Sequence, residues 1–120
     1  MSSAQGEPTL DCEVLEHLQR SLGEASNDFV IRLSHVYEGQ AAQLMTEISV
    51  AADQGDLPRL GEAAHSLKGS SATLGGARLA TMCEELELWD GPAEAVSLRV
   101  AGVQAELGAF QSELRGFLTQ

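Results

Sequence analysis

Apolar residues recur along most of the chain in steps of three and four, the spacing that gathers them on one face of an α-helix. After a polar lead-in, Asp11 is placed to cap a short leading helix carrying Leu15, Leu18 and Leu22, which Gly23 ends. Ser26 or Asn27 then caps a long helix with the stripe Val30, Leu33, Tyr37, Ala41, Leu44, Ile48 and Ala51, stopping near Gly55. Asp56 caps the next helix, with Pro58 in the first turn, where its missing N–H costs nothing. The inward seam of that helix is Leu57, Leu60, Ala64, Leu67, Ser71 and Leu74, and Gly75-Gly76 closes it.

A further helix carries Leu79, Met82, Cys83 and Leu86 and is predicted to run to the turn signal Asp90-Gly91-Pro92. From about Pro92 to the C-terminus, Val96, Val100, Val103, Leu107, Phe110, Leu114 and Phe117 keep an unbroken four-three heptad pattern. Four amphipathic helices joined by short turns predict an all-α fold: an antiparallel up-down four-helix bundle with a short additional N-terminal helix across one end. Residues 1–9 are expected to form a flexible lead-in and residues 10–120 a single domain. The heptads also permit a dimeric coiled coil, but turns this short favour pairing within one chain, so a monomer is expected.

Composition narrows the function more than the fold. At 120 residues there is room for one core, and with 43% hydrophobic but only 4% aromatic residues that core is mainly Leu, Ala and Val. The net charge of -11, from 18 acidic against 7 basic residues, repels a nucleic-acid backbone, which argues against nucleic acid as a partner. Cys12 and Cys83 fit neither a zinc-ligand pattern nor a disulfide framework, so a reducing cytoplasmic setting is expected and no metal site. The N-terminus lacks the basic start and apolar run of a signal peptide. No segment approaches the ~20 apolar residues that span a bilayer, so direct membrane contact is not expected.

His65 stands out by its neighbours. It follows the seam residue Ala64 by one position, a rotation of about 100° that turns it outward. Its helical neighbours are Gly61, Glu62, Lys68, Gly69 and Ala72, three of them tiny. Glycine within a helix costs roughly 0.5–1 kcal/mol relative to alanine, so a pair of glycines flanking one histidine asks for a reason. Clearing space for a bulky partner is one, and Lys68, one turn away, can neutralise an anion placed on the ring. Imidazole is nucleophilic when neutral, and phosphoryl transfer needs positioning and charge stabilisation above all. An exposed histidine on a helix is ordinarily a solvated surface residue, as His17 and His35 are read to be, since neither is bracketed by glycines on both sides or has a lysine three or four positions later.

The run Ala64-His-Ser-Leu-Lys-Gly-Ser-Ser-Ala-Thr-Leu-Gly75 resembles the signature of the histidine-containing phosphotransfer (HPt) family. The likeness extends from Leu10-Asp11 through Gly55-Asp-Leu57 to Cys83-Glu-Glu-Leu-Glu87. It implies His65 as phosphoacceptor at Nε2, Lys68 as the positive group near the phosphoryl and Gly69 as the residue permitting close approach; the access given by Gly61 and Ala72 is read from their helical spacing alone. Several family members carry a glutamine that hydrogen-bonds the other ring nitrogen; the matching residue here is Glu87, whose carboxylate can accept the Nδ1 proton but adds negative charge.

The resemblance implies a relay carrier without kinase or ATP-binding activity. It would take a phosphoryl group from one response-regulator receiver domain and pass it to another, downstream of a hybrid sensor histidine kinase. No cofactor is expected on this chain, and Mg2+ belongs in the receiver. Docking is assigned to the small-residue patch with Glu62, Val14, Leu18 and Phe29. Ser70 and Ser71 read as packing residues, and Lys68-Gly69-Ser70 lacks the order of a phosphate-binding loop. The competing readings are a non-catalytic helical adaptor and, more remotely, a metal enzyme built on the three histidines.

Overall fold

Asp11 starts the first helix by accepting the Glu13 amide at 3.1 Å, so α1 runs over Cys12–Leu22 and stops at Gly23. The computed structural model describes residues 3–23 and 26–119, all of them in helices or the turns between helices. Helix α2 covers Ser26–Gln54; the side chain of Ser26, the expected cap, lies outside the described residues, and Asn27 is already inside the helix. Asp56 caps α3 (Leu57–Thr73) by accepting the Arg59 amide at 3.2 Å, with Pro58 in the first turn. Helices α4 (Ala77–Glu87) and α5 (Val96–Leu118) complete the chain. At 1.5 Å per residue the 29 residues of α2 span about 43 Å, which sets the long dimension of a 49 × 27 × 20 Å molecule.

Helix α3 packs on α2 and α4, and α5 packs on the same two helices, so α2 to α5 close into a ring around one core. The core holds Val30, Tyr37, Ile48, Leu60, Ala64, Leu67, Leu79, Leu86 and the heptad residues from Val96 to Leu114. Leu33, Leu44 and Phe117 are only half-buried at its edge, while Leu15 of α1 is fully buried. The α3–α4 turn depends on Gly75, whose φ of 88° is costly for any residue with a Cβ. A Cβ there would also lie 2.7 Å from the Asp11 carbonyl oxygen. Without one, the Asp11 amide donates to the Gly75 carbonyl at 2.7 Å and brings the start of α1 onto this end of the helices.

Three features depart from the sequence pattern. Helix α4 ends at Glu87 rather than at Asp90, because the following turn wraps Trp89: its indole N–H donates to the Pro92 carbonyl at 3.2 Å, and a Cβ on Gly91 would sit 2.8 Å from the ring. A short 3-10 turn, Ala93–Ala95, then precedes α5. Within the expected lead-in, Ser3–Gly6 form another 3-10 turn that packs on α4 with Ala4 buried. Arg78 ties this stretch down, its backbone amide donating to the Pro8 carbonyl and its Nε to the Glu7 carbonyl, both at 2.9 Å.

Candidate functional site

The buried face of α3 is set by Leu60, Ala63, Ala64, Leu67 and Ser71, so His65 projects outward with 63% of its side chain exposed. Its neighbour across the helix pair is Glu87, the last residue of α4. Glu87 Oε2 lies 2.8 Å from His65 Nδ1, and Oε1 lies 3.0 Å from Lys68 Nζ. One carboxylate thus spans a ring and an ammonium that project from neighbouring turns of α3. A carboxylate only accepts hydrogen bonds, so Nδ1 donates, and the lone pair of the neutral ring is left on Nε2. Among the described residues Nε2 has no hydrogen-bond partner.

The ion pair shifts both of its members. The hydrogen bond from Lys68 is the main cause holding the Glu87 carboxyl below the usual carboxylate range, against a smaller opposing effect of burial and with help from His65. The same bond raises the Lys68 ammonium above the usual lysine value. Beneath them, burial pushes the Cys83 thiol up to about 12. Tyr37 is also raised by burial, and its hydroxyl pairs with Ser71 at 2.8 Å inside the core.

Beside the ring is an open hollow lined by Leu57, Pro58, Gly61, Glu62, His65, Ser66 and Glu87. Leu57, placed on the inward seam by its spacing, is half-buried and belongs to this lining, because the first turn of α3 projects past the core. Glu62 and Ala72 are exposed on the same helix, and a Cβ on Gly69 would meet only open space. Gly61 differs: it faces the backbone of Glu87. Val14, Leu18 and Phe29 do not line the hollow; the first two are half-buried, Leu18 against the core, and Phe29 is 44% exposed. His17 and His35 are exposed on α1 and α2.

Sequence periodicity misses Pro58 and Ser66 as lining residues and the sharing of Glu87 by His65 and Lys68. The last has a signal in the sequence, since the family resemblance sets Glu87 against the ring and Lys68 lies one turn beyond His65. Ser71, read as a packing residue, is buried and also hydrogen-bonded to Tyr37, while Ser70 Oγ donates to Gln40 Oε1 at 3.1 Å across α2 and α3. Among the described residues no three His, Cys, Asp or Glu side chains are grouped as metal ligands, and no helix is long and apolar enough to cross a membrane.

The family model for the Hpt domain, the histidine phosphotransfer domain, matches residues 32–115, most of the helical chain that presents this ring. The chain belongs to this family, and so to the phosphocarriers of two-component phosphorelays, which have no kinase activity of their own and interact with receiver domains and kinases. Its fold is similar to the crystal structure of histidine-containing phosphotransfer protein B (HptB) from Pseudomonas aeruginosa PAO1. The TM-score is 0.74 at 23% identity, covering 93% of this chain and 96% of that one. Comparison with curated proteins gives no match.

Proposed function

We propose that His65 carries the phosphoryl group, accepting it at Nε2 from the aspartyl phosphate of a receiver domain and yielding it to the aspartate of a second receiver. The observation that carries this reading is the 2.8 Å contact between His65 Nδ1 and Glu87 Oε2, on a ring whose other nitrogen is unpaired among the described residues. In the first transfer the Nε2 lone pair forms a bond to phosphorus while the bond from phosphorus to the acyl oxygen breaks, and that electron pair stays on the departing carboxylate. Nδ1 keeps its proton, so the product is a phosphoimidazolium beside the Glu87 carboxylate. In the second transfer an incoming carboxylate oxygen attacks phosphorus and the P–N pair returns to Nε2. The ring then departs as neutral imidazole, and neither transfer moves a proton.

Lys68 stabilises the phosphoryl oxygens: one N–H goes to Glu87 and two others remain to donate. Gly69 and Ala72 leave room for the receiver's approach, and Glu62 with the hollow forms part of the contact. Val14, Leu18 and Phe29 extend that contact at its far edge. The required Mg2+ is assigned to the receiver, because the Glu87 carboxylate is already engaged by two partners on this chain. The remaining parts of the reading are an antiparallel up-down arrangement of α2 to α5 with α1 across one end, a monomeric carrier, a hybrid sensor kinase upstream and a cytoplasmic setting. Incubation with a labelled phospho-receiver tests the function: the native chain should gain an acid-labile, base-stable label and His65→Gln none. Binding without labelling of the native chain would leave an adaptor.

A further inference from the structure

Gly61 contacts the one residue that holds the ring. A Cβ built on Gly61 would lie 3.5 Å from the Glu87 carbonyl oxygen and 4.0 Å from its Cα, whereas one on Gly69 would meet nothing within 4 Å. The two glycines flanking His65 are therefore not equivalent. Gly69 leaves space for something outside the molecule; Gly61 is where the backbones of α3 and α4 come together, at the residue whose carboxylate reaches both His65 and Lys68.

We infer that Gly61 is a positioning residue: by letting the end of α4 close onto α3 it seats Glu87, which in turn keeps the neutral His65 ring in its Nδ1–H tautomer with the lone pair on Nε2. The argument is one of tolerance. A hydrogen bond of 2.8 Å is lost once its ends separate past about 3.5 Å, so an outward shift of α4 by less than about 1 Å breaks it. An alanine methyl at Gly61 fits at ordinary contact distance. A β-branched residue fills two of the three staggered positions around Cβ, so it has little freedom to turn its methyl groups away from α4. Free histidine prefers the proton on Nε2, the wrong nitrogen for an Nε2 nucleophile, so loss of Glu87 should be visible in the ring itself. The charged groups around the ring are Glu87 from α4 and Glu62 and Lys68 from α3, with Glu84 of α4 acting on Lys68. Among the ion pairs of the described residues, only Glu87 reaches Nδ1.

The purpose of this arrangement rests on the reading of His65 as phosphoacceptor, but its test does not need phosphorylation. Two-bond 1H–15N spectra of the neutral ring are compared in the native chain, Gly61→Ala, Gly61→Val and Glu87→Ala, with circular dichroism as the check on the fold. The native chain and Gly61→Ala should show the Nδ1–H tautomer, and Gly61→Val and Glu87→Ala should shift toward Nε2–H. A folded Gly61→Val with the native spectrum overturns the inference, as does a native ring already in the Nε2–H form. Loss of the helical fold in Gly61→Val overturns it too, because Gly61 would then serve the fold and not the ring. A native tautomer response in a chain that never takes up a phosphoryl group would refute the proposed function and leave the role of Gly61 standing.

Discussion

Lys68 Nζ donates to Glu87 Oε1 at 3.0 Å, on the same carboxylate whose other oxygen faces the His65 ring. The ammonium is therefore held beside the ring before any phosphoryl group arrives. Lys68→Ala should slow transfer by roughly tenfold, less than the 100–1000-fold typical of a buried oxyanion donor, because the site is open to water. Its melting temperature should stay within about 3 °C of the native value, as expected for a residue off the core seam. Single-turnover transfer from a phospho-receiver, set beside a thermal melt, checks both halves. Equal transfer rates would remove Lys68 from the mechanism.

The pairing also sets a pH window. Glu87 is lowered in the folded state, so its contribution to stability is present above the ordinary carboxylate range and is lost as pH falls through its lowered value. Lys68 is raised, so its contribution is present below the ordinary lysine value and is lost as pH rises through its raised one. The difference in melting temperature between the native chain and Glu87→Gln should be greatest between these limits and shrink at both ends. Since both groups are partly exposed, added salt should reduce the difference. Melts across a pH series at low and high salt give the answer; a flat difference would dissociate the pair from stability.

Tyr37 and Ser71 share a hydrogen bond of 2.8 Å within the core, between α2 and α3. Ser71→Ala leaves a buried phenol without its partner and should cost about 1–3 kcal/mol. Tyr37→Phe combined with Ser71→Ala should recover part of that loss, because the unsatisfied hydroxyl is removed. Urea unfolding of the two single variants and the double variant measures the coupling.

The two cysteines should behave as opposites. Cys83 is buried with its thiol pushed up to about 12, so almost none of it is thiolate at neutral pH, while Cys12 is exposed. Iodoacetamide should label the native protein once, at Cys12, and reach Cys83 only after denaturation, as read by peptide mass spectrometry. Comparable labelling of both in the folded chain would contradict the burial of Cys83.

What could be read from the sequence follows what is local. The helix starts at Asp11 and Asp56, the heptad of α5 and the outward turn of His65 depend on neighbours within one or two helical turns, and periodicity exposes them. The missing parts join residues distant in sequence. The end of α4 at Glu87 is the exception, set by the local turn in which the Trp89 indole donates to Pro92, whereas the docking of the stretch from Ser3 to Pro8 depends on Arg78, far along the chain. The same holds inside the site. Flanking glycines read alike along α3, and only the placement of α4 distinguishes Gly61, against the Glu87 backbone, from Gly69, which faces open space. Only the family resemblance points to Glu87, since nothing in the periodicity of α4 connects it to a histidine on another helix.

The central claim is that the phosphoryl group resides on His65 Nε2. The direct measurement is 31P and 15N NMR of the chain after transfer from a phospho-receiver. The account predicts a single phosphoramidate signal, coupled to Nε2 of His65 and absent from His65→Gln. No phosphoramidate on the native chain, or the same signal on His65→Gln, would contradict it.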